Sequence, residues 1–244
     1  MKQPFQTRFL VLPALGAGIA GLFLRLALYR TGFDSRHLLT PNNLPQLLCF
    51  ILALGLAGYL LFLLRPGKET PAVASLPGSS LSGFAAALVL GLNAWQLSRV
   101  QGEYLDAVRM ALAWLSAAGV ALTALARFRG RIPALPVQTA VCLFFALDML
   151  CRYQNWSGNP RLADYCFALP ASICLCVIAY QALALPRALG SRKVRLFACL
   201  MALCLCLYSL AGSGSPMFYL GGALLAWSEL NAPWETEENA DVSA

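Results

Sequence analysis

The sequence predicts an all-α polytopic membrane protein, a bundle of about eight transmembrane helices. Three observations predict this fold. Of the 244 residues, 59% are hydrophobic and only 12% are charged, about half of the roughly 25% that is usual in soluble proteins. The polar residues are bunched between long apolar blocks. No connection between the blocks is long enough for a soluble domain, so kinase, nucleotidyl-cyclase and ATP-binding modules are excluded by length alone.

Eight apolar stretches follow one another along the chain. Each crossing of the hydrocarbon core needs about 20 mostly apolar residues. The last stretch has 14 residues and reaches only about 21 Å as a helix, so seven spans is the alternative. Thinning of the bilayer or burial of the short helix inside the protein would accommodate it. The predicted spans are 9–29, 44–64, 81–98, 107–126, 136–152, 165–185, 196–211 and 217–230.

The connections divide the predicted spans into four helical hairpins. The segments 65–80, 127–135 and 186–195 each combine arginine with proline and glycine, which end helices at the headgroup level. We expect residues 1–234 to form a single transmembrane domain. The acidic segment 235–244 is predicted to be a disordered cytoplasmic tail.

The distribution of basic residues predicts the orientation. With the N-terminus in the cytoplasm, eleven of the 18 lysines and arginines lie on the inner side, as the positive-inside rule requires. The inner loops contain a single acid, Glu69, whereas the outer arginines share their segments with several acids. The chain is therefore predicted to lie in the cell membrane with both termini cytoplasmic. The lipid bilayer is its expected partner, and nothing indicates binding to nucleic acid.

Small residues mark two faces for close helix packing. Ala14, Gly18 and Gly21 share one face of the first span with Arg25, and small residues at this spacing let helices approach closely. The segment GAGIAG within this span matches a nucleotide-binding pattern, but no strand precedes it. A similar face of the fourth span contains Ala113, Ala117, Ala121 and Ala124.

Polar residues inside the spans are the candidate ligand-binding residues, because polar groups in the hydrocarbon region are costly. All five lie in the outer part of their spans, and one interpretation is an outward-facing polar cavity. Its charge of +1 favours a small anionic or zwitterionic ligand. The alternative is that Asp148 and Arg152, spaced i, i+4, pair with each other while Arg25 extends to the headgroups. The five candidates are Arg25, Asn93, Gln96, Asp148 and Arg152.

Catalytic, metal and cofactor signatures are absent from the sequence. The nine cysteines form no CxxC pair and His37 is the single histidine, so no metal site, cofactor or catalytic set is predicted. The motifs HExxH, GxSxG and GxxxxGK[ST] do not occur. Cys151 and Cys166 flank the loop between spans five and six, where an oxidising compartment would allow a disulfide.

Three function classes are compatible with these features. The preferred one is a small permease or ligand-binding membrane protein. The second is a scaffold subunit whose small-residue faces bind another membrane protein or a second copy. The third is an intramembrane enzyme acting on a lipid or cell-wall precursor, ranked last because no paired-acid or metal-ligand spacing supports it. Its candidate carboxylates are Glu103, Asp106, Asp148 and Asp164.

Overall fold

The predicted all-α fold is confirmed by the computed structural model, which describes residues 5–32, 43–65, 79–99, 104–157, 162–187, 189–212 and 215–232. These residues form eight α-helices, a 3-10 turn over Leu185–Arg187 and no strand. The acidic segment 235–244 lies outside the described residues. The helices are α1 (Phe5–Thr31), α2 (Leu44–Leu63), α3 (Ser79–Ser98), α4 (Tyr104–Phe128), α5 (Leu135–Ser157), α6 (Leu162–Ala184), α7 (Arg192–Leu210) and α8 (Pro216–Leu230).

Seven of these helices, α1 to α7, are long and apolar enough to cross a membrane. The eighth, α8, has 15 residues and rises only about 22 Å. It is enclosed by protein instead, because ten of its residues are buried. For the short last helix the sequence allows either thinning of the bilayer or burial inside the protein, and the structure shows burial inside the protein.

Helices α3 to α8 form a closed ring. Each packs against the next along the chain, and α8 packs back against α3. The α1–α2 hairpin lies outside this ring, with α1 against α7. Large exposed apolar side chains occur repeatedly on α1 to α6, whereas α7 and α8 each have one, Val194 and Leu220. The two helices are therefore the interior of the bundle, and the other six offer the surface that would face lipid.

Glycines set the register between α3, α4 and α8. A Cβ atom built on Gly83 of α3 would lie 2.9 Å from the Ala124 Cβ of α4 and 3.0 Å from the Ser228 Oγ of α8. One built on Gly221 of α8 would lie 2.9 Å from the Leu90 side chain of α3. Moving up α3 from Gly83 to Leu90 therefore means moving down α8 from Ser228 to Gly221, so the two helices are antiparallel.

The small-residue face of α1 is covered by α7 of the same chain. Ala14, Gly18, Gly21 and Arg25 are all buried. Gly21 lies against the Tyr208 ring without room for a Cβ. On α4, Ala113, Ala117 and Ala124 are buried and Ala121 is half-buried. Gly83 and Gly91 of α3 contact this face at Ala124 and Ala117.

The disulfide considered between Cys151 and Cys166 is not formed, and both side chains are thiols. Cys151 is buried on α5 one residue before Arg152. The other cysteines are also thiols, buried or half-buried among the helices. Free cysteine is a small, weakly polar residue that packs as an apolar one, so all nine serve as helix-packing residues here.

Candidate functional site

A buried carboxylate joins α4 and α5 near one end of the bundle. The Asp148 side chain is fully buried and accepts hydrogen bonds from two arginines. Arg109 of α4 donates from Nε to Oδ1 at 2.7 Å, with its Nη2 at 2.6 Å from the same oxygen. Arg152 of α5 donates from Nε to Oδ2 at 2.5 Å. We call these three residues the Asp148 cluster.

The beginning of α8 covers the Asp148 cluster. The Arg152 guanidinium lies 4.2 Å from the Phe218 ring centroid and 5.4 Å from that of Tyr219. Both rings are fully buried. A guanidinium over an aromatic face gains a favourable electrostatic interaction while water is kept away. The aromatic pair therefore closes the bundle beneath the cluster.

A second buried carboxylate joins α4, α7 and α8 at the opposite end. Glu229 of α8 accepts from Arg127 Nη2 of α4 at 2.5 Å and from Arg195 Nη2 of α7, also at 2.5 Å. The same Arg195 nitrogen lies 2.7 Å from the main-chain oxygen of Glu229. We call Glu229, Arg127 and Arg195 the Glu229 cluster.

The two clusters have the same chemical composition. Each is a carboxylate between two arginines, and each has a net charge of +1. Arg109 and Arg127 are 18 residues apart on α4, which places their Cα atoms about 27 Å apart along the helix axis. Removing charges from water costs several kcal/mol per ion, so hydrogen-bonded pairing on both sides of each carboxylate is what makes these sites tolerable.

A narrow cavity lies beside the Glu229 cluster. The space that the centre of a water molecule can occupy there is about 20 Å³, which is room for about one water molecule. Its apolar walls come from α3 to α6 and α8. Its polar lining consists of Thr123, Arg127, Gln138, Ser228 and Glu229.

Hydrogen bonds hold the polar lining in place. Thr123 Oγ1 donates to the main-chain oxygen of Gly119 at 2.8 Å, and Ser228 Oγ donates to that of Ser79 at 2.7 Å. Near Gln138, Arg187 Nη1 lies 3.5 Å from the Gln138 Oε1. The cavity thus has one fixed cation, Arg127, and a second, Arg187, close to Gln138.

The structure divides the predicted ligand-binding residues between two places. Asp148 and Arg152 pair as their i, i+4 spacing predicts. Arg25 is only 1% exposed, so its side chain is enclosed by protein. Its guanidinium lies 5.3 Å from the ring centroid of Phe167 of α6, and its Nη2 donates to the Tyr29 hydroxyl at 3.1 Å. Arg25 thus lies between α1 and α6, whereas Asp148 lies between α4 and α5.

The two amide candidates of α3 also differ. Asn93 is 1% exposed, but Gln96 is exposed, so the expectation that Gln96 points into the interior is wrong. The buried face of α3 follows the 3.6-residue helical period through Gly83, Leu90 and Asn93. One further turn brings that face to Leu97, with Gln96 turned away from it.

Sequence reasoning missed the arginines that complete the clusters. A signal for two of them was present: the small-residue face of α4 begins four residues after Arg109 and ends three residues before Arg127. Extending that face by one turn in each direction reaches both arginines. The sequence places Arg127 and Arg195 in the inner connections, where basic residues are expected for orientation alone.

The carboxylates considered for catalysis do not form a catalytic group in the described part of the chain. Asp148 is held by two arginines, Asp106 is half-buried, and Glu103 and the side chain of Asp164 lie outside what is described. No three His, Cys, Asp or Glu residues among those described are placed to hold a metal ion. Comparisons with protein-family models, curated proteins and solved structures gave no match for this chain.

Proposed function

We propose that this multi-pass membrane protein is a small permease for anionic or zwitterionic solutes, and that the cavity beside the Glu229 cluster binds the solute. The observation that carries the proposal is the arginine pair on Glu229. Arg127 and Glu229 line the cavity, and Arg195, which lies outside its lining, pairs with the same carboxylate, so the cluster leaves a net charge of +1 beside a wall that is otherwise mostly apolar. Such a surface attracts a carboxylate more strongly than a bare cation.

The size of the cavity limits the solute. As described, it admits about one water molecule, so a bound solute has few heavy atoms and helix movement must widen the space around it. The opposite end is closed by the Asp148 cluster over Phe218. A bundle with its cavity at one end and a closed layer at the other is compatible with access from one side at a time.

The scaffold function is less well supported, because the features that suggested it are used within this chain. That function required the small-residue faces of α1 and α4 to be available to another membrane protein. Gly18 and Gly21 of α1 instead contact α7, and Ala117 and Ala124 of α4 contact α3. Close-packing surfaces are therefore used within this chain, which leaves the permease as the better-supported function.

We further propose that the Glu229 end faces the cytoplasm and that the cavity opens to that side. Nine basic residues of the described part lie at this end, against five at the Asp148 end, and cytoplasmic segments are the more basic. We expect an alkaline phosphatase fusion after Gly130 to be inactive and one after Leu38 to be active. The reverse pattern would mean that the Glu229 end faces the outside, and this proposal would be wrong. The nine are Arg8, Arg65, Arg127, Arg129, Arg131, Arg187, Arg192, Lys193 and Arg195.

The binding proposal is tested by substitution of Arg127. We expect sodium acetate or glycine to raise the thermal unfolding temperature of the purified protein in detergent, and choline chloride not to. Arg127→Lys keeps a charge beside Glu229 but loses the planar donor set. It should weaken the apparent affinity for the stabilising probe by about tenfold, since hydrogen bonds to charged groups contribute about 1.5–3 kcal/mol.

Arg129→Lys is the matched control, because Arg129 is an exposed arginine near the same end that does not line the cavity. It should leave the affinity unchanged. Stabilisation by choline alone, or equal losses in the Arg127 and Arg129 variants, would overturn the proposed function.

A further inference from the structure

The wall of the cavity contains a carboxylate of the chain itself. Glu229 lines the cavity together with Arg127. Its Oε1 accepts from Arg127 Nη2 and its Oε2 accepts from Arg195 Nη2, each at 2.5 Å. A solute carboxylate would offer Arg127 the same kind of charge-assisted hydrogen bond. In the ligand-free protein, the arginine proposed to bind the solute is therefore already engaged by a carboxylate.

The cavity is too small to hold a second carboxylate beside that of Glu229. The space that the centre of a water molecule can occupy is about 20 Å³, which is room for about one water molecule, and even acetate is larger than that. If the Glu229 carboxylate leaves Arg127, the place that it vacates has the size and shape of a carboxylate group. The exchange thus supplies part of the space that helix movement would otherwise provide.

The two arginines hold Glu229 in different ways. Arg195 Nη2 lies 2.7 Å from the main-chain oxygen of Glu229 and also donates to its Oε2. Arg195 therefore contacts the backbone of α8 as well as the side chain, and it lies outside the cavity lining. Arg127 comes from the last turn of α4 and pairs with Oε1 at the tip of the glutamate. Arg195 is the anchor, and the bond to Arg127 is the one that a solute can replace.

The charges of the Glu229 cluster favour a solute with one carboxylate group. In the ligand-free protein, one carboxylate serves two arginines. If a solute carboxylate pairs with Arg127 while Glu229 stays with Arg195, each arginine has a counter-ion of its own. Buried ions are tolerated when they are paired and hydrogen-bonded, so one added negative charge balances the cluster.

We propose that Glu229 occupies the place of the solute carboxylate in the ligand-free protein, and that a monocarboxylate solute binds by displacing it from Arg127 while Arg195 retains it. This inference rests on the proposed permease function and deepens it, because it names the group that the solute replaces. Rotation about the side-chain bonds of Glu229 is sufficient for the exchange. When the solute leaves, the glutamate returns to Arg127 and fills the site again.

Glu229→Asp tests the exchange without changing the charge of the cluster. The aspartate carboxylate lies about 1.5 Å nearer the backbone, within reach of Arg195 but withdrawn from Arg127. Because the competing bond to Arg127 is weakened, the apparent affinity for acetate should rise by about tenfold. Acetate-dependent thermal unfolding of the purified protein in detergent measures this affinity. Sodium chloride at equal ionic strength is the salt control, and it should stabilise the variant and the wild type equally.

Glu229→Gln removes the competing charge altogether. We expect the ligand-free variant to unfold at a lower temperature than the wild type, because two buried arginines lose their counter-ion. Acetate should restore much of that loss by taking the place of the missing carboxylate. Asp148→Asn is the matched control, since the Asp148 cluster has the same composition but does not line the cavity. It should also be destabilised, and acetate should not restore it.

The exchange and the proposed solute binding fail in distinguishable ways. If acetate stabilises the wild type but binds no more tightly to Glu229→Asp, the exchange is overturned and solute binding stands. A higher affinity in Glu229→Gln alone would then reflect only the added positive charge. Equal restoration of Asp148→Asn by acetate would reveal a general anion effect and would also overturn the exchange. If acetate does not stabilise the wild type, both proposals are overturned, even where a Glu229 variant responds.

Discussion

Replacing Asp148 with leucine is expected to lower the free energy of unfolding by about 3–5 kcal/mol, the loss that follows when one partner of a buried ion pair is removed. The substitution leaves the Arg109 and Arg152 guanidinium groups inside the bundle, where they are 8% and 7% exposed, without their counter-ion. Unfolding of the purified protein in mixed micelles with increasing SDS measures the loss.

Two controls separate this effect from a change in packing. The triple variant Arg109→Met, Asp148→Leu and Arg152→Met removes all three charges at similar volume, and it should recover most of the lost stability. Asp106→Asn removes the charge of a half-buried carboxylate on α4 that belongs to neither cluster. It should change stability by about 0.5 kcal/mol or less. A triple variant as unstable as Asp148→Leu would show that the arginines themselves hold the helices together.

Replacing Gly18 with leucine is expected to destabilise the contact between α1 and α7 by about 1–3 kcal/mol or more, the usual cost of overfilling a packed site. A Cβ atom on Gly18 would lie 2.6 Å from the Leu207 Cδ1 and 3.2 Å from the Cys204 Cα. The Leu207 methyl group can rotate away, but the Cys204 main chain cannot. The two helices would therefore have to separate.

Gly16→Leu is the matched control for this prediction. Gly16 lies on the exposed face of the same helix, and nothing lies within 4 Å of a Cβ built there. Leucine at this position should leave stability unchanged or raise it by up to about 1 kcal/mol, since glycine is the poorer helix former. The same SDS titration compares the two variants. Equal destabilisation at both positions would mean that α1 does not pack on α7 through Gly18.

The sequence by itself determined the number of helices and most of their limits. The predicted span 44–64 matches α2, Leu44–Leu63, and the predicted span 81–98 lies within α3, Ser79–Ser98. These features depend on local composition, because apolar runs form helices in lipid and segments with arginine, proline and glycine end them. The bond between Asp148 and Arg152 was also predictable, since residues four apart share a helix face.

Only the tertiary structure decided which charges meet and which helix ends are covered. Arg109 reaches Asp148 across 39 positions of sequence, and Arg127 reaches Glu229 across 102. Hydropathy cannot distinguish an arginine at the headgroups from one inside the bundle, because both follow an apolar run. Burial of the short helix α8 among α3, α6 and α7 brings Glu229 between Arg127 and Arg195. A buried charge needs a partner, and that partner comes from whichever helix the packing places beside it.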